Sequence, residues 1–596
     1  MSRVDSNASA QVVSDPAMTH RQILFVIFGL MAGMFLSALD QTIVGTSMRT
    51  IGDDLDGLSL QAWVTTAYLI VSTISTPIYG KLSDIFGRRP LFIVAIAIFL
   101  LGSLLAGLAT SMYELAIFRA VQGLGAGGLM ALPLTIMGDM LAPRERAKYQ
   151  GYFLAVFGVS SVIGPLIGGF FAGASEILFV TGWRWVFLIN LPIGIIALAV
   201  VLKFLHIPHT KRPVRIDWWG AATVIVAAVP LLLIAEQGRE WGWGSGIAVA
   251  CYVIGALGIA GFVLAEKLMG DDALIPLKLF RSPTFRMATI LGVLVGFGMF
   301  GAMMTIPLYL QLVNGATPTE SGFLMLPMIL GLMISSIVSG QLISRTGKYK
   351  VFPIVGTGFM AAGFYYFTWA SADKPVWFMM IGMLLVGLGL GQLMQTLTLA
   401  SQNSVGPRDI GVATSGSTFF RQIGGTLGTA IIFSVLFSRI PEVLRDVFSN
   451  PATQRELAAV ASDPGVRADP ANAQILEMLA NPSALGSALD GDTSFLNSSD
   501  PRLAAPFLDS FATATVTVFF VSLGVVLVAF ALSFFLKATP LREKSALQEN
   551  ADADAAVIAQ QAANATGALV EPSMSTGAVL GSGAPEPATG SGRPTE

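Results

Sequence analysis

The sequence predicts an all-α integral membrane protein with fourteen transmembrane helices, and three observations predict it. Only 12% of the 596 residues are charged, 54% are hydrophobic and the mean hydropathy is +0.70, far too apolar for a surface facing water. The apolar residues gather into runs of about twenty or more, the length that crosses roughly 30 Å of hydrocarbon. Most of the 35 Lys and Arg residues fall in alternate connections between those runs. In lipid every backbone amide needs an internal partner, so such runs are helices rather than open strands.

The spans follow in order. Span 22–48 leaves a polar tail, 1–21, that lacks the charged-then-apolar pattern of a cleaved signal. Spans 60–80 and 90–109 flank Lys81, Arg88 and Arg89, and spans 112–138 and 147–172 flank Arg144, Arg146 and Lys148. Span 184–203 is followed by Lys203, Lys211, Arg212 and Arg215, then by spans 217–236 and 246–266. Lys267, Lys278, Arg281 and Arg286 precede span 287–312, and Arg345, Lys348 and Lys350 separate spans 320–343 and 351–371. Spans 376–400, 409–438 and 511–536 complete the set. The opposite connections hold only Arg49, Arg184, Arg239 and Lys374 outside the long segment 439–510. Excess Lys and Arg mark the cytoplasmic side, and long translocated segments largely escape that rule. Both termini are therefore expected in the cytoplasm of a bacterial cell, with the chain in the inner membrane. All nine Trp lie near span ends, where amphipathic rings meet headgroups. Segment 439–510 reads as an extracytoplasmic loop with short helices around Arg455–Ala461 and Ala473–Ala480. The Ala/Gly/Ser/Pro-rich tail 543–596 reads as disordered.

Several functions are excluded. A net charge of −2 with no basic tract argues against nucleic acid. The single cysteine, Cys251, makes neither an internal disulfide nor a zinc site, and His20, His206 and His209 stand at or beyond span ends. No phosphate-cradling G-x-x-x-x-G-K-[S/T] loop occurs. No nucleophile constellation suggests an enzyme. No metal and no cofactor are expected.

The connection after the second span reads GKLSDIFGRRP (80–90) and that after the tenth GQLISRTGKYK (340–350). Gly80, Leu82, Gly87 and Arg88 align with Gly340, Leu342, Gly347 and Lys348 at one constant offset, the sign of duplicated halves common in secondary transporters. With these stand LDQTIV (39–44), LAIFRAVQGLGAGG (115–128), GVSSVIGPLIGG (158–169), WRWVFLINLPIG (183–194), IDWWG (216–220), PLYLQLVNGATPTESGFLMLP (307–327) and FFRQIGGTLGTA (419–430). The chain resembles the major facilitator superfamily in its fourteen-helix drug:proton antiporter branch, the EmrB/QacA subfamily. That implies a six-helix half over 22–203, two linker helices over 217–266 and a second six-helix half over 287–536.

Asp40 is the acid deepest in a span. A charge near mid-bilayer costs about 2.5–3.5 kcal/mol even on insertion scales, so such residues face a cavity and act. The resemblance implies proton coupling through Asp40 and Arg119, whose guanidinium is the natural counter-charge; a purely structural pair is the alternative. Arg421 is a possible second buried charge, with a structural role equally open. The resemblance implies a gating latch of Gly80, Asp84, Gly87, Arg88 and Arg89. There Asp84 meets the start of the penultimate helix near Gly406–Gly411, while Ser344 stands in the second copy. Gly158, Gly164, Pro165, Gly168 and Gly169 match the antiporter motif, where small residues permit close packing and Pro bends the helix. Thr42 reads as packing or local bonding. With Glu320 at an outer end, no buried acid serves dications in the second half. The expected partners are small lipophilic compounds, neutral or monocationic, together with protons and the bilayer, for a chain acting as a monomer. Rival readings are export of an endogenous lipid, siderophore or metabolite, proton-coupled uptake, and a non-transporting membrane sensor or scaffold.

Overall fold

The computed structural model describes residues 20–55, 60–205, 215–480 and 495–567; most of the 1–21 tail and the tail beyond 567 lie outside them. The first six long helices are α1 (His20–Asp54), α2 (Gln61–Phe86), α3 (Arg88–Gly107), α4 (Met112–Met140), α5 (Pro143–Gly173) and α6 (Asn190–Phe204). Two further long helices follow, α7 (Trp218–Trp241) and α8 (Gly246–Met269). The second set is α9 (Pro283–Leu312), α10 (Leu326–Thr346), α11 (Val351–Phe367), α12 (Val376–Asn403), α13 (Ile410–Ser449) and α14 (Pro501–Ser533). Twelve helices among the described residues are long and apolar enough to cross a membrane, and α11, apolar but 17 residues long, makes a thirteenth candidate. α2 is long enough at 26 residues, but its Ser and Thr residues dilute its apolarity, so it completes the expected fourteen on length alone.

Local chemistry punctuates the helices. Ser111, Asp217, Ser245 and Ser282 accept from first-turn amides at the starts of α4, α7, α8 and α9, filling donors that a helix start leaves unpaired. Gly87 (φ 95°) turns α2 directly into α3, a backbone angle that a side chain would strain.

The two halves pack by one plan. α1 packs on α5 and α6, α2 and α3 on α4, and α3 on α6. α9 packs on α13 and α14, α10 and α11 on α12, and α11 on α14. Each helix of the first half thus has its counterpart eight helices later. The halves meet along two matching seams, α2 against α13 and α5 against α10. α7 lies on the first seam, where Val224, Ala228 and Leu232 join Ile70, Ile74 and Phe419 in one apolar cluster.

Three details differ from expectation. The all-α reading omits a two-residue antiparallel pair, β1 (Glu176–Ile177) with β2 (Val180–Thr181). The 439–510 loop is shorter than expected, because α13 continues to Ser449 and α14 begins at Pro501, where Phe448 and Phe507 pack with ring centroids 4.9 Å apart. Hydropathy marks only the apolar stretch, whereas an amphipathic helix runs on past it. The expected short helices are present as Pro451–Ala461 and Ala473–Ala480. The tail expected to be disordered from 543 carries a helix, α15 (Ala546–Gly567); its Ala, Gln and Glu residues favour that form.

Candidate functional site

α1 and α4 cross so that Asp40 and Arg119 meet inside the first half. Asp40 is 0% and Arg119 1% exposed. Arg119 Nη1 donates to Asp40 Oδ2 and to Gln122 Oε1 at 2.7 Å. Gln122 Nε2 donates to Asp40 Oδ1 at 2.8 Å, and Asn190 Nδ2, from α6, donates to the same oxygen at 2.8 Å. Asn190 also donates to Ser103 Oγ at 2.8 Å, and Ser103 donates to the Phe187 carbonyl. The guanidinium stacks over Tyr68, 4.0 Å from the ring centroid, and Tyr68 shares a 3.0 Å hydrogen bond with Ser37. Asp40 therefore has one ionic and two amide donors on α4 and α6, all within its own half, and no solvent contact, so in this conformation it does not face a cavity as the sequence reading expected. A buried pair is tolerated when further hydrogen bonds offset its desolvation; here they fill most of the pair's capacity, with Arg119 Nε left unpartnered.

Gln122 and Asn190 carried no assigned role in the sequence. Gln122 follows Arg119 by three residues, on the same helix face; Asn190 is an amide within an apolar run. Those two signals were available.

The residues expected to form a latch meet at the other end of α2. Arg88 Nη1 pairs with Asp84 Oδ1 at 2.5 Å and Arg88 Nε with Asp139 Oδ2 at 2.6 Å. A Cβ on Gly411, in the first turn of α13, would collide with the Asp84 carboxylate and the Arg88 guanidinium, and one on Gly80 would collide with Ser415. Asp84, Arg88, Gly80 and the start of α13 therefore come together, with Asp139 of α4 as an added acid. Arg89 stands apart, donating to the Leu202 carbonyl at the end of α6 (2.6 Å). Among the described residues the matching seam is closed by hydrogen bonds and not by an ion pair: Gly340 abuts the Ala147 carbonyl, Gln395 Nε2 donates to that carbonyl at 2.6 Å, and Arg146 Nη1 donates to Gln402 Oε1 at 2.6 Å. Lys278, between α8 and α9, bridges Asp271 (3.0 Å) and Asp409 (3.3 Å). Burial would lower its pKa, but the hydrogen bonds and charges of those two carboxylates hold it above its ordinary value.

The glycines of α5 divide between two neighbours. Side chains on Gly164 and Gly168 would strike Thr42 and Thr46 of α1, whereas one on Gly158 would strike Ile329 of α10. Gly169 is nearly open, and Pro165 faces Gly322. The close approach lets Thr42 donate to the Ser160 carbonyl (3.0 Å) and Ser47 to the Gly168 carbonyl (3.1 Å), consistent with a packing role for Thr42. Glu320 closes a capping box with Thr317 at the start of the short helix Pro318–Leu324. Arg421 is 9% exposed, and among the described residues it has no hydrogen-bond, ionic or ring partner. None of these groups forms a cluster of three or more metal-ligating side chains among the described residues.

Residues 30–429 match the family model of the Major Facilitator Superfamily. The chain is 37% identical over 527 residues to the multidrug transporter protein MdtP of Bacillus subtilis (strain 168), covering 87% of this chain and 94% of that protein. It is 40% identical over 339 residues to a tetracycline resistance determinant of Streptomyces rimosus, covering 57% of this chain and 95% of that one. A solved structure, the human organic anion transporter MFSD10 (TETRAN), aligns with a TM-score of 0.53 over 84% of this chain and 99% of that one, at 14% identity, a likeness of fold alone. The repeated helix pairing, the two seams and these matches converge: the chain belongs to the Major Facilitator Superfamily, as a multi-pass membrane transporter and not an enzyme.

Proposed function

We propose that the protein is a proton-coupled antiporter that exports small lipophilic compounds, drugs or dyes among them, by alternating access. The observation that carries this reading is the Asp40 carboxylate, sealed in a membrane helix and clasped by Arg119, Gln122 and Asn190. A proton and the Arg119 guanidinium compete for that carboxylate. Protonation cancels the charge that holds Arg119, so uptake of a proton loosens α1 from α4, and reunion of the pair expels it. Moving one charge through 100 mV supplies about 2.3 kcal/mol, a usable driving force for each proton. The multidrug-transporter and tetracycline-resistance relatives support cargo of the drug class.

In this reading the latch end faces the cytoplasm of a bacterial cell, with both termini on that side of the inner membrane. The chain works as a monomer of two halves, with α7 and α8 as a linker. Asp84, Arg88 and Asp139 hold the cytoplasmic end shut against α13, and the glycine-lined α5 lets the halves rock. Export by everted vesicles tests the reading: wild type should accumulate a lipophilic dye when a pH gradient is imposed and lose it when the gradient is collapsed. Dye accumulation indifferent to the pH gradient would reject proton coupling.

A further inference from the structure

Among the described residues of the second half, the buried cation Arg421 has nothing to neutralise it. Among the described residues no acid of that half pairs with Arg421: Glu320 caps its helix, Asp373 accepts from Ser371, and Asp409 pairs with Lys278. Guanidinium stays protonated and presents planar donors, so an unfilled one inside a membrane protein is costly unless something visits it.

The helix facing Arg421 supplies the rest of a site. α9 and α13 rise together: Gly296 abuts the Arg421 carbonyl, Phe297 meets Gly428 and Gly301 meets Ile432. Side chains on a helix lean toward its N-terminus, so the stem of Arg421 leads from the level of Gly296 toward that of Gly292, one turn nearer the latch. Gly292 is buried, yet a Cβ added there would meet no atom within 4 Å. Most other buried glycines of the bundle would collide with a neighbour at that point. On the same face of α9, three residues earlier, Thr289 is 5% exposed and its buried Oγ1 has no hydrogen-bond partner. An unfilled space, an unpartnered hydroxyl and an unpartnered guanidinium thus share one stretch of the α9–α13 interface.

We propose that this stretch is a subsite for the anionic group, a carboxylate by preference, of an otherwise lipophilic cargo, with Arg421 as counter-charge and Thr289 as second donor. This rests on the transport reading above and adds acidic amphiphiles to its neutral and monocationic cargo. The first half then handles the proton and the second half the charge of the cargo.

The test uses the full chain in phosphatidylcholine vesicles and three matched pyrene probes whose short chains end in a carboxylate, an alcohol or an ammonium. Wild type should bind the carboxylate more tightly than the alcohol. Arg421→Gln should weaken carboxylate binding by about tenfold or more, the worth of a charged hydrogen bond, and strengthen ammonium binding, since a buried positive charge has been removed. A merely structural arginine would weaken all three together, and that result overturns the subsite. Arg421→Lys should keep part of the preference, and Gly292→Leu should abolish it by filling the space with Arg421 still present. Wild type that exports the ammonium probe yet binds carboxylate and alcohol alike refutes the subsite and leaves export standing. Wild type that exports none of the probes, yet shows an Arg421-dependent carboxylate preference, upholds the subsite and rejects export. Loss of that preference on adding a few per cent phosphatidylglycerol would assign the site to lipid headgroups and overturn the cargo assignment.

Discussion

In the first half of the bundle the buried Arg119 is joined to an acid, whereas in the second half the buried Arg421 meets none among the described residues. Both halves obey one rule of helix pairing, α1 with α5 and α6 mirrored by α9 with α13 and α14. The same asymmetry recurs at the seams: Asp84 and Asp139 grip Arg88 at one, while amides and a backbone carbonyl close the other through Gln395 and Gln402. Duplication therefore fixed the packing, set by small residues and helix geometry, but not the polar chemistry, which a single substitution can change without moving a helix. Shape is shared between the halves; charge is not.

Substitutions can break or sharpen this contrast. The largest effect is expected from Asp40→Asn, which keeps a hydrogen-bond acceptor for Arg119 but cannot titrate: pH-gradient-driven accumulation in everted vesicles should fall to background while dye binding persists. Unchanged accumulation would remove Asp40 from the coupling role. Next comes stability. Arg119→Ala leaves Asp40 buried without its ion partner and should cost about 3–5 kcal/mol, seen as a lower unfolding temperature in detergent. Arg421→Ala strands no partner and should leave that temperature within a few degrees of wild type. Equal losses from the two arginines would erase the difference between the halves.

A smaller effect is expected at the latch. Asp84→Asn weakens the contact with Arg88 and the start of α13, and should raise the labelling rate of a cysteine placed at Ser415 several-fold; an unchanged rate would discard the latch. The smallest effect should come from supplying the second seam with an acid. Ser344→Asp places a carboxylate in the connection whose Gly347 lies against Arg144. It should slow export about two- to threefold by adding a surface-type ion pair of at most ~1 kcal/mol. Faster export would mean that the one-sidedness of the latch has no bearing on rate.

Much of this was legible in the sequence. Long apolar runs and alternating basic connections predicted the spans, because the bilayer imposes length and polarity directly. Asp40 and Arg119 stood out as rare charges in apolar surroundings, and the structure brings them together. What was hidden belongs to side chains whose role depends on a distant partner. Gln122 and Asn190 look like ordinary amides until α4 and α6 converge on α1. Asp139 lies at the end of an apolar run, where acids are common, and only tertiary contact brings it to Arg88. The extension of α13 to Ser449 was missed because hydropathy reports the membrane, not the helix. Arg89 shows the reverse error: its neighbour Arg88 sits in the latch, but one residue of helix rotation turns Arg89 to the end of α6.

The enclosure of Asp40 has a consequence for the cell. A carboxylate held by three donors and closed off from bulk solvent does not, in this conformation, relay hydrogen ions from one compartment to the other. Under the proton-coupled reading proposed above, a pump resting in this conformation acts as an insulator: idle copies do not short-circuit the membrane that energises them, and leakage waits on the structural change that parts Asp40 from Arg119.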